Sequence, residues 1–127
     1  MNAYRATDAS ARVATASPHR LVQLMLESAI DRLAAARGHI ERGRIPEKGE
    51  SLSRALSIID TLNASLDMDQ GGAIAGNLRR IYEYSMRRLT EANIQADAHI
   101  VAEVQGLLRE IKAGWDEIAG LSAGGQP

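Results

Sequence analysis

Cysteine is absent from the 127-residue chain, which excludes a disulfide framework, a thiolate zinc site and a cysteine nucleophile. Phenylalanine is absent too, and the aromatic share is only 3%, three tyrosines and one tryptophan. Burial must therefore come from Leu, Ile, Val, Met and Ala. Neither sign of charge dominates: 15 Lys plus Arg stand against 16 Asp plus Glu, for a formal net charge of -1. A phosphate-tracking surface usually carries a basic surplus, so no nucleic acid is expected as a partner. No apolar run approaches the ~18 residues a membrane span needs, and the first residues lack the basic, apolar and small-residue pattern of a secretory leader. These absences predict a cytoplasmic protein with no membrane partner. Its length suits one domain with a core that needs no metal or cross-link.

What is present is helical periodicity. Residues 1–16 are polar and Ala-rich, with Tyr4 and Val13 as the bulky apolar groups, and read as a loosely held N-terminal arm. Ser17 can then cap a helix that has Pro18 at its first position, where the missing N–H is not needed. Leu21, Val22, Met25, Leu26, Ala29, Leu33, Ala36 and Ile40 recur at three- and four-residue spacing, which predicts one broad apolar face running to about Arg42. Leu52, Ala55, Leu56, Ile59, Leu62 and Leu66 form a second such block. The stretch Asp67-Met68-Asp69-Gln70-Gly71-Gly72 breaks the pattern, since paired glycines are good turn material. Ile74, Leu78, Ile81, Ser85, Leu89 and Ala92 make the stripe of a third helix, and Ile100, Val104, Leu107, Leu108, Ile111, Trp115 and Ile118 that of a fourth. No window alternates with period two, so no strands are expected. The predicted fold is all-α, an antiparallel up-and-down four-helix bundle over residues 17–119, with an arm at 1–16 and a flexible tail at 120–127.

Catalytic signals are weak. A carboxylate-bridged dimetal bundle uses Glu-x-x-His pairs, and none of His19, His39 and His99 follows a Glu at that spacing. His99 and Glu103 could share a metal from one helix face, but such pairs are common on solvated surfaces. Asp67-Met68-Asp69 resembles the start of a calcium loop, yet Leu78 stands where the bidentate Glu belongs. Asp residues that cap the third helix explain this turn better. Gly71-Gly72 lacks the Lys-Ser/Thr of a phosphate loop and follows no strand. Arg79, Arg80, Arg87 and Arg88 point around their helix with Glu83 and Glu91 between them, a solvated face rather than a basic stripe. No enzyme, metal or cofactor is expected.

One stretch asks for more than packing. NLRRIYEYSMRRL, Asn77 to Leu89, places Asn77, Tyr82 and Tyr84 at the edges of an apolar stripe in a chain that has few aromatics. A tyrosine at an edge can bury its ring and keep its hydroxyl near water or a backbone group, a combination favoured at interfaces. Asn77 offers both a donor and an acceptor to an arriving backbone. The pattern predicts an apolar groove with polar margins that receives an amphipathic helix or extended peptide. The alternative is a helical adaptor or regulatory module that binds another folded protein through the same surface.

Several pieces together resemble a known family. They are Tyr4; Thr15-Ala16-Ser17-Pro18 with Leu21 and Met25-Leu26; Gly71-Gly72, Ile74, Asn77-Leu78, Ile81-Tyr82 and Tyr84; Arg88-Leu89 and Ala92-Asn93; and Glu103-Val104, Leu107-Leu108 and Trp115. In order and spacing they are similar to the flagellar secretion chaperone family FliS, over nearly the whole chain. Ser28 and Ser85 depart from the expected pattern, standing where bulkier or other residues belong. The resemblance implies an antiparallel bundle that holds the C-terminal segment of flagellin in the cytoplasm, prevents premature polymerisation and delivers the client to type III export. Export-gate components or regulators are further partners it implies. Under this resemblance Ile58, Leu62 and Leu66 line one wall of the client groove. Asn77, Leu78, Ile81, Tyr82 and Tyr84 provide anchors, and Tyr4 is a displaceable cover.

Overall fold

The computed structural model describes the backbone of residues 17–124 and the side chains of residues 17–118; the expected arm, with Tyr4, lies outside the described residues. Four helices follow one another, α1 (Pro18–Glu41), α2 (Ile45–Ala64), α3 (Met68–Gln95) and α4 (Ala98–Gly124), and no strand occurs among the described residues. The all-α four-helix expectation holds.

Local chemistry sets the helix ends. The Ser17 hydroxyl accepts from the Arg20 N–H at 3.1 Å, with Pro18 in the first turn, so one orphan donor is satisfied and the missing one costs nothing. At the other end of α1, Arg44 N–H donates to His39 O at 2.9 Å and Gly43 N–H to Ile40 O at 3.2 Å. This pair of bonds is the Schellman arrangement, and its left-handed position is filled by Gly43 at φ 67. The α3–α4 corner repeats the device with a less suitable residue: Asp97 N–H reaches Ala92 O at 3.1 Å, while Ala96 sits left-handed at φ 52, ψ 48. Asp97 then caps α4 by accepting from His99 N–H at 2.9 Å.

The helices form a closed ring in which α1 packs on α2 and α4, and α3 packs on the same two helices from the opposite corner. The packings of α3 are the less extensive ones. Each helix contains a run of buried positions with one spacing: Leu26, Ala29, Leu33, Ala36 in α1; Leu52, Ala55, Ile59, Leu62 in α2; Tyr82, Ser85, Leu89, Ala92 in α3; Val101, Val104, Leu108 in α4, with Ser51, Ile100 and Gln105 buried beside them. Alternating steps of three and four keep a narrow seam facing the bundle axis. That seam is narrower than the stripes read from periodicity. Ile74 and Ile118, expected in the core, are 74% and 52% exposed, and Leu107, Ile111 and Trp115 are half-buried.

Two boundaries also differ from expectation. Helix α4 runs on to Gly124, past the Ala119 limit read from the sequence. At the start of α3, the stretch read as a turn is one helical turn folded back at Gly72, whose φ of 55 and ψ of -133 break the helix.

Candidate functional site

The kink at Gly72 makes room at one end of the bundle, where α1 and α3 begin and α2 and α4 end. Asp67 caps the short turn by accepting from the Asp69 and Gln70 N–H groups, both at 3.1 Å. This use of its carboxylate is the capping role expected from the sequence. Gly71 must be small, because a Cβ placed there would come within 2.5 Å of the Ala75 Cβ. The folded-back turn becomes the lip of a cleft of about 250 Å³, floored by Val22, Leu62, Leu66, Leu78, Tyr82 and Trp115, with Ile74 at its edge. Its walls are almost entirely apolar. The volume is below the ~300–1,000 Å³ of typical small-molecule sites, so it suits a few side chains of a peptide better than a cofactor.

Of the residues predicted from sequence, Leu62, Leu66, Leu78 and Tyr82 meet in this cleft. Asn77, Ile81 and Tyr84 do not; they share a second, more open hollow on the other flank of α3, with Arg80 and Leu107. Ile58 lines neither, being half-buried and packed against the core. Helix α3 is therefore the common wall between two receptive surfaces. Sequence reasoning missed Val22 and Trp115 as cleft residues, since their spacing assigns them to ordinary core. It missed Gly71 and Asp67 because they read only as a turn. The one available signal was the coincidence of a glycine pair with the edge of an apolar stripe.

Tyr82 is only 2% exposed, yet its ring contributes to the cleft. Burial pushes its hydroxyl up to about 12, since the phenolate would be desolvated. The second hollow is polar at its rim and already internally paired. Tyr84 Oη donates to Glu103 Oε2 at 2.9 Å and Arg88 Nε to Glu103 Oε1 at 3.0 Å, while Arg88 also holds Glu91 at 2.6 Å. The Arg88 guanidinium, with help from the Tyr84 hydroxyl, holds the Glu103 carboxyl below the usual carboxylate range. The same carboxylate pushes the Tyr84 hydroxyl up. Asn77 accepts from Arg80 through its Oδ1, so its amide N–H groups are what it offers outward.

Glu103 is thus engaged by Tyr84 and Arg88 rather than shared with His99. Among the described residues no group of three or more His, Cys, Asp or Glu side chains gathers as a metal site. Among them, too, no helix is long and apolar enough to cross a membrane.

A family model described as flagellar protein FliS matches residues 1–122. The chain is 47% identical over 119 residues to the flagellar secretion chaperone FliSB of Pseudomonas aeruginosa, covering 94% of each chain. It is 42% identical over 120 residues to the flagellar secretion chaperone FliS of Salmonella typhimurium, covering 94% of this chain and 89% of the relative. Against the flagellar secretion chaperone FliS of Bacillus subtilis the identity is 30% over 105 residues, with 83% and 77% covered.

Proposed function

The chain belongs to the FliS family of flagellar secretion chaperones, which are not enzymes, and from that premise we propose that it binds the disordered C-terminal segment of flagellin in the cytoplasm, keeps it from polymerising and delivers it to the flagellar type III export apparatus. The observation that carries this reading is the apolar cleft at the kinked end of α3, with Ile74 74% exposed beside it. A large aliphatic group held in water next to an apolar slot that no described residue fills is what an incoming amphipathic segment can cover.

The energetics are compatible with a reversible carrier. Ordering a disordered client costs about 2–5 kcal/mol. Each aliphatic client side chain fully buried contributes about 1.5–3 kcal/mol, so two or three anchors in the cleft supply about 3–9 kcal/mol, the size needed to offset that cost. The second hollow, with the Asn77 amide at its rim, lies on the opposite flank of α3 and offers a further seat for a client long enough to cross the helix. Occupying a flagellin segment that would otherwise pack against another flagellin removes one polymerisation contact. Export-gate components and regulators fit the same reading as later partners of the loaded chaperone.

Co-purification of the full chain with its cognate flagellin, intact and lacking the last residues, tests the proposal. Retention of the intact client alone supports it, and calorimetry with the C-terminal peptide should then show a negative heat-capacity change. Equal retention of both forms, or of neither, overturns it.

A further inference from the structure

Trp115 is the only tryptophan of the chain, and it reaches the cleft from the C-terminal half of α4. Its indole is held from one direction by a single residue at the start of α1. The rings of His19 and Trp115 stack with centroids 4.7 Å apart and planes 9° from parallel. Trp115 Nε1–H donates to the backbone carbonyl of His19 at 2.9 Å, and His19 Nε2 meets the backbone carbonyl of Trp115 at 3.0 Å. A carbonyl only accepts, so this second contact places a proton on Nε2. Each side chain thus grips the other's backbone, and the indole can neither flip nor swing without breaking a hydrogen bond and the stack.

The α1–α4 seam does not need this clasp for cohesion. Leu26, Leu33, Val104 and Leu108 already bury completely within the bundle, and one turn below the clasp Gln23 Nε2 donates to Asp116 Oδ1 at 2.8 Å. Trp115 itself is only half-buried, because part of its surface is turned to the cleft. What the clasp determines is where a large aromatic wall stands before any client arrives.

We propose that His19 is a positioning residue for client binding, holding Trp115 as a preformed wall of the cleft. The inference rests on the chaperone reading above. An indole fixed beforehand spares the complex the ordering of one large side chain, a saving worth about three- to tenfold in affinity.

The test uses the full chain, the C-terminal peptide of its cognate flagellin, and three variants. His19→Ala removes both the stack and the donor; His19→Gln keeps a side-chain N–H donor; Gln23→Ala removes the neighbouring α1–α4 tie, which does not touch the cleft. Acrylamide quenching of Trp115 is read in the free protein, the peptide Kd by calorimetry, and Tm by circular dichroism. The expected result is stronger quenching and about three- to tenfold weaker binding for His19→Ala, partial recovery for His19→Gln, and wild-type quenching and Kd for Gln23→Ala. A peptide that binds wild type and His19→Ala equally overturns the positioning role alone. So does an equal loss in Gln23→Ala, which would mark a general seam effect. If wild type does not bind the peptide, the flagellin reading falls and takes this role with it.

Discussion

Lys48 and Asn93 join two helices at the end of the bundle opposite the cleft: the Lys48 ammonium, on a residue only 6% exposed, donates to the Asn93 carbonyl at 2.8 Å. Asn93 lies in the last turn of α3, where carbonyls have no helical partner and the helix end carries partial negative charge. A lysine from α2 therefore does the work of a C-terminal cap. Lys48→Met keeps the aliphatic stem but removes the charge and the donor. The expected loss is about 1–2 kcal/mol, seen as a lower urea midpoint with an unchanged slope.

Three residues further along, Ala96 occupies the left-handed position that glycine fills after α1. A side chain there costs roughly 1 kcal/mol that glycine does not incur, though glycine also gives the unfolded chain more freedom. Ala96→Gly is expected to stabilise the protein by about 0.5–1 kcal/mol. Ala96→Val, β-branched at the same φ, should lower Tm instead.

Alkali should reach the fold through Tyr82. Its hydroxyl is pushed up to about 12 in the folded state by burial, against 10.0 for the free side chain. Between those two values the unfolded chain releases the proton and the folded one keeps it. The stabilising contribution is thus complete below pH 10 and is lost as pH rises toward 12. Tyr82→Phe cannot ionise, so its Tm should fall less steeply across that range in a thermal melt series.

Ile74 separates binding from folding better than the buried cleft residues do. Truncating Tyr82 would leave a cavity costing about 3–5 kcal/mol and confuse the two effects. Ile74→Ser removes a side chain that is 74% exposed and should change stability by less than about 0.5 kcal/mol. It should nevertheless weaken the flagellin peptide by about 1–2 kcal/mol if the client covers that edge. Ile94, 80% exposed at the far end of the same helix, is the matched control, and Ile94→Ser should leave both quantities alone.

The helices were legible in the sequence because each carries an apolar stripe of helical period, and two of them open on their own punctuation. Ser17-Pro18 opens α1 and Asp67 caps α3, and their chemistry acts within a few residues. Four cleft residues were legible for a different reason: Leu78 and Tyr82 belong to the motifs that carry the family resemblance, and Leu62 and Leu66 stand on the broad apolar stripe of α2. What periodicity could not convey is how much of each stripe the neighbours cover. Ile74 and Leu78 share a stripe, yet the break at Gly72 leaves the first in water and tucks the second into the cleft. The His19–Trp115 clasp joins residues 96 apart in sequence, a separation at which local pattern carries no information. Ser85, flagged as unusually small, proves wholly buried, with its hydroxyl unpaired among the described residues. The structure offers no reason for that choice over alanine.

One helix, α3, forms a side of each hollow: Leu78 and Tyr82 line the first, while Asn77, Ile81 and Tyr84 line the second. A substitution that shifted α3 against α2 and α4 would therefore reshape both surfaces at once, whereas a change confined to α1 would reach the first alone.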